Sequence, residues 1–184
     1  GISTTGVKMD VATMIKRKDN IVGQLTSGIK GLFKKNKVTL LPGHGKFVNR
    51  EEERWRIDVN CEIVEATHVV VATCSKARHL PGIPVDNKLI CDNVGALAFD
   101  ATPKRLGVIG AGVIGLELGS VWKRLGSEVT ILEALPDFLG SADQAVAKEA
   151  WKVFTQKQGL NIQLGVKITK VETGKKGVTI DYEL

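Results

Sequence analysis

The stretch "LGVIGAGVIGLELGSVWKRLGSEVTILE", residues 106–133, decides the fold of this chain. Its first apolar residues, Leu106–Ile109, predict a buried β-strand, and a GxGxxG turn at 110–115 follows at once. A helix is predicted after the turn, to about residue 125, and then a second strand, Glu128–Leu132. That strand ends on an acidic residue, Glu133. The order of strand, glycine turn, helix, strand and acid predicts a dinucleotide-binding unit.

Each glycine of the turn has its own expected role. Gly110 permits the tight turn, Gly112 lets the backbone approach a pyrophosphate, and Gly115 lets the helix pack closely on the strand. The phosphate would then lie on N–H groups at the N-terminus of a helix. Glu133 would accept both ribose hydroxyls and repel a 2′-phosphate, which favours NAD over NADP. The alternative is a turn that serves only helix packing, with Glu133 merely exposed.

The rest of the chain alternates predicted helices and strands, which indicates the α/β class. Long helices are predicted at 10–36, with Asp10 as N-cap, and at 142–158. The apolar run His68–Thr73 predicts a strand covered on both faces. The hairpin at the end of the chain is predicted to turn through Thr173–Lys176. The remaining strands are predicted at Val38–Leu41, Lys46–Val48, Arg54–Val59, Glu62–Thr67, Asn161–Leu164, Lys167–Glu172 and Gly177–Glu183.

Composition and charge exclude several classes of protein. The 184 residues are 43% hydrophobic and carry a net charge of +6. The basic residues are dispersed and few aromatic residues accompany them, so nucleic-acid binding is not expected. No apolar run approaches the roughly 20 residues that cross a bilayer, and no secretory signal is visible. The three cysteines are too far apart for a disulfide framework or a metal site, which favours a reducing compartment.

The quoted stretch, extended to Arg105, closely resembles the NAD-binding segment of dihydrolipoyl dehydrogenases. These are flavoprotein disulfide reductases of the pyridine nucleotide-disulfide oxidoreductase class I family. The resemblance covers essentially the whole chain. Residues 10–38 are similar to the family's long helix, "GHGKF" at 43–47 to its adenine-side loop, and residues 67–93 to the strand, ATG loop and link into the NAD domain.

This resemblance implies Rossmann-like FAD- and NAD-binding domains, each with a central parallel sheet in three layers and a β-meander crossover. Residues 1–102 would be a partial FAD-binding domain and residues 103–184 an NAD-binding domain that stops early. FAD and NAD are the implied cofactors, and no metal is implied. The implied NAD residues are Gly110, Ala111, Gly112, Val113, Ile114, Gly115, Glu117, Glu133 and Ile168. The implied FAD residues are His44, Gly45, Thr73, Cys74 and Ser75.

Two of these residues have a more specific implied role. Glu117 would lie near the flavin and the nicotinamide and would pair with a lysine of the redox segment. Its other interpretation is an acid that complements the helix dipole. Ile168 would lie beside the NAD adenine, whereas Val113 and Ile114 would lie near the nicotinamide path.

The family also has parts that this sequence does not contain. They are an N-terminal FAD GxGxxG, a CxxxxC disulfide, a dimerisation domain and a His–Glu acid–base pair. The sequence is therefore expected to be an internal fragment without catalytic residues of its own and without lipoamide turnover. The whole protein would be a homodimer that oxidises dihydrolipoamide on a lipoyl-carrying partner, within a 2-oxo-acid dehydrogenase complex. Its location would be the bacterial cytoplasm or the mitochondrial matrix.

Cys74 departs from the family pattern. Family members read ATG at this point and have a proline near Ala77. A glycine suits a turn with unusual dihedral angles or a close approach to a cofactor, so Cys74 is expected to crowd the FAD side. A nucleophile would need a neighbouring base, and a redox pair would need a second cysteine at suitable spacing.

Three other interpretations stay open from the residues alone. One is a sibling flavoprotein disulfide reductase, although Glu133 argues against an NADP-dependent member. Another is a non-catalytic NADH-binding regulatory module, which would use the same turn without a disulfide. A plain structural or antigenic fragment is the third, and no residue pattern favours it.

Overall fold

The computed structural model describes residues 1, 3–175 and 177–184. They form two compact units, one of residues 19–76 and the other of residues 1–18 with 77–184. Helix α1, Val11–Lys35, contributes to both. It begins after Asp10, as predicted, because the Asp10 carboxylate accepts the Thr13 N–H at 3.0 Å. This bond lowers the pKa of Asp10, as expected for an N-cap carboxylate.

The 19–76 unit contains an antiparallel meander of three strands. These are β1 (Gly45–Glu51), β2 (Arg54–Val59) and β3 (Glu62–Ala66), in the order β1-β2-β3. Trp55 lies at the centre of this meander. The centre of the Phe47 ring is 5.4 Å from the centre of the Trp55 ring, in an edge-on contact, and the Arg50 guanidinium lies over the Trp55 ring, 5.4 Å from its centre. The predicted strands at Lys46–Val48, Arg54–Val59 and Glu62–Thr67 are therefore confirmed, with small changes at their ends.

Two predicted strands of this unit are wrong. Val38–Leu41 and His68–Thr73 have no regular secondary structure. Val70 and Val71 of the second run are 88% and 68% exposed, so it is not covered on both faces. An apolar run becomes a buried strand only when neighbouring strands take up its N–H and C=O groups. Among the described residues, no strand pairs with either run.

A connector leads into the parallel sheet of the other unit. It contains a one-turn helix, α2 (Asn93–Ala96), whose N-cap Asp92 accepts the N–H groups of Val94 and Gly95 at 2.9 and 3.2 Å. The carbonyl of Ala96 accepts the indole N–H of the buried Trp122 at 3.1 Å. The connector is thus fixed to the helix that carries Trp122.

The predicted parallel sheet is confirmed. Its strands are β4 (Arg105–Ile109), β5 (Glu128–Leu132) and β6 (Asn161–Gln163), in the order β4-β5-β6. Helix α3, Val113–Arg124, connects β4 to β5 and packs on the sheet. The hydrophobic core combines side chains of α3 and of the sheet. β5 is the central strand, and its apolar side chains are mostly buried in this core. The buried side chains of the core are Ala111, Leu116, Val129, Ile131, Leu160 and Ile162.

The predicted helix at 142–158 forms in two parts. Helix α4, Gln144–Lys152, begins after its N-cap Asp143, and a π-helical turn, Val153–Lys157, continues it. Gly159, with φ +70°, follows the end of this turn. The sequence did not predict the π-helical turn; Trp151 in α4 and Phe154 in the turn both pack against the core cluster.

A hairpin of β7 (Lys167–Gly174) and β8 (Gly177–Glu183) follows β6. Its predicted pairing is confirmed, whereas Lys176 of the predicted turn lies outside the described residues. The side chain of Ile180 in β8 packs beside Gly107 in β4, 3.4 Å from where a β-carbon of Gly107 would lie.

Candidate functional site

The turn between β4 and α3 takes the form that its glycines predict. Gly110 has a φ of +102°, in the left-handed region that side chains disfavour. Its N–H donates to the Leu132 carbonyl at 2.8 Å, which extends the pairing of β4 with β5 by one residue. The first glycine therefore turns the chain sharply at the carboxyl end of the sheet, where open α/β sheets bind ligands.

Gly112 is the N-cap of α3 and faces open space. A β-carbon built on it would have no neighbour within 4 Å. No side chain caps the helix among the described residues. The N–H groups of the first turn therefore point outward with the positive end of the helix dipole. Val113 and Ile114, the first two residues of the helix, are 65% and 58% exposed beside them.

Gly115 holds the helix against the turn. A β-carbon at this position would collide with the carbonyl oxygen of Gly110 and would lie 3.3 Å from the Val108 side chain. Gly119, one turn further along, lets the same helix approach β5, since its β-carbon would lie 3.2 Å from the Ile131 side chain. Sequence reasoning missed Gly119, although the spacing of four residues from Gly115 places both on one helix face.

Glu133 lies at the end of β5 and reaches back to the turn. One of its carboxylate oxygens, Oε2, accepts the Ala111 N–H at 2.7 Å, and Oε1 accepts the Leu135 N–H at 2.9 Å. The structure thus brings the glycine turn and the acid, which the sequence assigns to one binding unit, into direct contact. The alternative of a merely exposed Glu133 does not fit these contacts.

Two further residues of the predicted NAD set lie at other places in the same unit. Glu117 is exposed in the second turn of α3. Ile168 is half-buried in β7, where it pairs with Tyr182 just before a bulge. No hydrogen bond joins the Glu117 carboxylate to the glycine turn in the part of the chain that the structure describes.

The predicted FAD residues lie in the 19–76 unit. His44 precedes β1 and Gly45 begins it, whereas Thr73, Cys74 and Ser75 lie in an exposed segment without regular structure. Within the described ranges, no hydrogen bond joins the two segments. Cys74 has a φ of +60°, which is a glycine-like conformation and agrees with the glycine expected at this point.

The connector holds a polar cluster that sequence reasoning missed. The Asp86 carboxylate accepts three consecutive backbone N–H groups, at 2.8, 2.9 and 3.0 Å, and these bonds lower its pKa. Burial raises the pKa of the nearby Cys91 thiol, with help from Asp86 and Asp92. This thiol is therefore a poor nucleophile. The Asp-Asn pairs at 86–87 and 92–93 are the sequence signal that could have predicted these turns.

Two other features are absent from the described part of the chain, a cluster of metal ligands and a helix that could span a membrane. No three His, Cys, Asp or Glu side chains there are grouped as metal ligands. None of the helices described is long and apolar enough to cross a membrane.

The chain is similar to known proteins over nearly its whole length. The family described as "Pyridine nucleotide-disulphide oxidoreductase" matches residues 3–184. The chain belongs to this family. A dihydrolipoyl dehydrogenase of Cupriavidus necator is 65% identical over 182 residues, which are 99% of this chain and 38% of that protein. A leghemoglobin reductase of Vigna unguiculata is 45% identical over 100% of this chain and 35% of its own length.

Solved structures show the same fold. LpdA from Mycobacterium tuberculosis matches 97% of this chain and 40% of its own, with a TM-score of 0.86 at 22% identity. The flavoprotein disulfide reductase RclA from Escherichia coli matches 95% of this chain and 40% of its own, with a TM-score of 0.74 at 26% identity. The expected α/β, Rossmann-like fold is therefore confirmed. The chain spans less than two-fifths of the length of the curated relatives named above.

Proposed function

We propose that this oxidoreductase-family chain forms the NAD-binding turn of a dihydrolipoyl dehydrogenase. The whole enzyme would oxidise dihydrolipoamide through a redox disulfide and FAD and would reduce NAD⁺ to NADH. The observation that carries the proposal is the contact between the glycine turn and Glu133, whose Oε2 accepts the Ala111 N–H at 2.7 Å. It occurs in a chain that is 65% identical to a dihydrolipoyl dehydrogenase.

The residues of the turn fit NAD. The outward N–H groups at the start of α3 would bind the pyrophosphate, and the open space at Gly112 would admit it. Glu133 would accept the adenosine ribose hydroxyls and exclude a 2′-phosphate. Bound NAD⁺ supplies the hydride acceptor, and the exposed Val113 and Ile114 would orient its nicotinamide half. Glu117 would lie toward the flavin, and Ile168 would contact the adenine.

The FAD side of the proposal rests on the family resemblance. His44 and Gly45 would contact the FAD adenine, whereas Thr73, Cys74 and Ser75 would line its pyrophosphate and ribitol. No hydrogen bond joins these two segments among the described residues, so no step of the reaction is assigned to them. In the same proposal, residues 1–102 belong to the FAD-binding domain and residues 103–184 to the NAD-binding domain.

The proposed partners follow from the whole enzyme. They are a lipoyl-carrying subunit that presents dihydrolipoamide, the other subunits of a 2-oxo-acid dehydrogenase complex, and a second copy of the enzyme in a homodimer. Relatives come from a bacterium and from plant mitochondria, so the bacterial cytoplasm or the mitochondrial matrix is the proposed location.

Titration of the 184-residue chain with NADH and with NADPH tests the cofactor assignment. NADH is expected to bind at least about tenfold more tightly, a difference of about 1.4 kcal/mol, because Glu133 repels the 2′-phosphate. Equal affinities would contradict the assigned role of Glu133. The sequence contains no CxxxxC pair, so a mixture of the chain with dihydrolipoamide, FAD and NAD⁺ is expected to form no NADH.

A further inference from the structure

We infer that Glu133 is a positioning residue that holds the phosphate turn in its binding conformation. This role comes in addition to the ribose contact of the proposed function, on which it rests. The carboxylate bridges two backbone segments, because Oε2 accepts the Ala111 N–H and Oε1 accepts the Leu135 N–H. Ala111 lies between the first two glycines of the turn and is 3% exposed. Its buried N–H therefore depends on the carboxylate for a partner.

The bridge is anchored on the sheet. The N–H of Glu133 donates to the Gln163 carbonyl at 2.8 Å, and its own carbonyl accepts the Val166 N–H at 2.9 Å. Glu133 is thus fixed at both backbone groups and at both carboxylate oxygens. Because these bonds fix the Glu133 side chain relative to β5, its bond to the Ala111 N–H also fixes the middle of the turn relative to β5.

The positioning role and the ribose role use different lone pairs. A carboxylate offers about four acceptor positions. Two of them receive the Ala111 and Leu135 N–H groups, and two remain for hydroxyl groups. A glutamine at this position has one acceptor oxygen and one NH₂ group. In either orientation of the amide, the NH₂ would face one of the two backbone N–H groups, and that contact would be lost.

The two roles predict opposite effects for a ligand without ribose hydroxyls. If Glu133 only contacted the ribose, its neutralisation would remove a negative charge near the diphosphate and would strengthen binding. If it also holds the turn, neutralisation leaves the binding conformation only partly populated, and the apparent affinity falls by that fraction. The probe 2′,3′-dideoxyadenosine 5′-diphosphate separates these cases, because it carries the diphosphate without either hydroxyl.

The experiment is calorimetric titration of the full 184-residue chain with this probe and with NADH. It compares the wild type, Glu133→Gln and the matched control Glu128→Gln. Glu128 is exposed at the other end of β5, about 16 Å along the strand, and its substitution removes the same charge. Glu133→Gln is expected to weaken probe binding by about fivefold or more, whereas Glu128→Gln leaves it unchanged. Unchanged or tighter binding by Glu133→Gln would overturn the inference.

Hydrogen exchange of the ligand-free wild type tests the positioning role without any substitution. The Ala111 amide is expected to exchange at least about tenfold more slowly than in an unstructured peptide. Exchange at the unstructured rate would overturn the inference even if Glu133→Gln failed to fold. Failure of NADH to bind the wild type would reject the proposed function, and the exchange rate of Ala111 would still decide the positioning role.

Discussion

Two segments of this chain place an apolar run before a turn residue with positive φ, and they fold differently. After β4 the turn residue is Gly110, with φ +102°, and the run forms a strand of the parallel sheet. After Val69–Ala72 the turn residue is Cys74, with φ +60°, and the run stays exposed without regular structure. Similar local patterns thus give a built site in one unit and an open segment in the other.

The difference lies in whether a partner strand is present. The run of β4 pairs with β5, which begins only 19 residues after β4 ends and is joined to it by α3. Loops of this length close at small entropic cost, and the helix covers the apolar face at once. The run before Cys74 has no paired strand in the described part of the chain. A local apolar sequence therefore forms a strand only when a hydrogen-bonding partner is available.

The largest expected effect is the loss of stability when a buried tryptophan of one unit is replaced. A half-buried tryptophan of the other unit serves for comparison. Trp122 is 2% exposed, contacts Phe99 at 5.1 Å between ring centres and donates to the Ala96 carbonyl. Trp122→Ala is expected to lower the free energy of unfolding by about 3–5 kcal/mol, since it leaves a cavity and an unpaired carbonyl. Urea unfolding followed by circular dichroism measures this loss.

The matched control is Trp55→Ala in the meander. Trp55 is half-buried, so a loss of about 1–2 kcal/mol is expected from the smaller area that it buries. Equal losses for the two variants would show that the meander packs around Trp55 as tightly as the parallel-sheet unit packs around Trp122, which would contradict the expected difference.

An intermediate effect is expected in the glycine turn, where Gly115 serves helix packing and Gly112 is proposed to serve binding. Gly115→Ala is expected to lower the free energy of unfolding by about 1–3 kcal/mol, because the new β-carbon meets the backbone carbonyl of Gly110.

Gly112→Ala has open space and a φ of −71°, so its stability is expected to stay near that of the wild type. Its affinity for NADH is expected to fall, because the methyl group would occupy the space proposed for the pyrophosphate. Thermal unfolding and NADH titration measure the two effects, and a Gly112→Ala chain with full affinity would contradict the assignment.

The smallest effect concerns the open segment. A side chain in the left-handed region costs about 1–2 kcal/mol, whereas a glycine gives the unfolded chain about 0.4–1 kcal/mol of extra entropy. Cys74→Gly is therefore expected to stabilise the chain by up to about 1 kcal/mol. Cys91→Gly is the control, because Cys91 has no positive φ to relieve and is partly buried. A destabilised Cys74→Gly chain would mean that the turn does not favour glycine.

Sequence reasoning was most successful where structure is local. The strand at Glu128–Leu132 has the predicted bounds, and the glycine turn joins strand to helix as expected. It failed for His68–Thr73, because hydrophobicity cannot show whether a partner strand is present. The bond from Ala111 to Glu133 also escaped prediction, since it depends on one side-chain conformation across 22 residues.

The bonds from Gly110 to Leu132 and from Glu133 to Gln163 extend the ladder of the sheet into the site itself. A flexible loop loses conformational entropy when a ligand orders it, and that loss weakens binding. In this turn the loss has already occurred when the sheet folds. The turn would therefore meet the proposed dinucleotide as a rigid receptor, and its affinity would depend on the integrity of the sheet rather than on a separate closing motion.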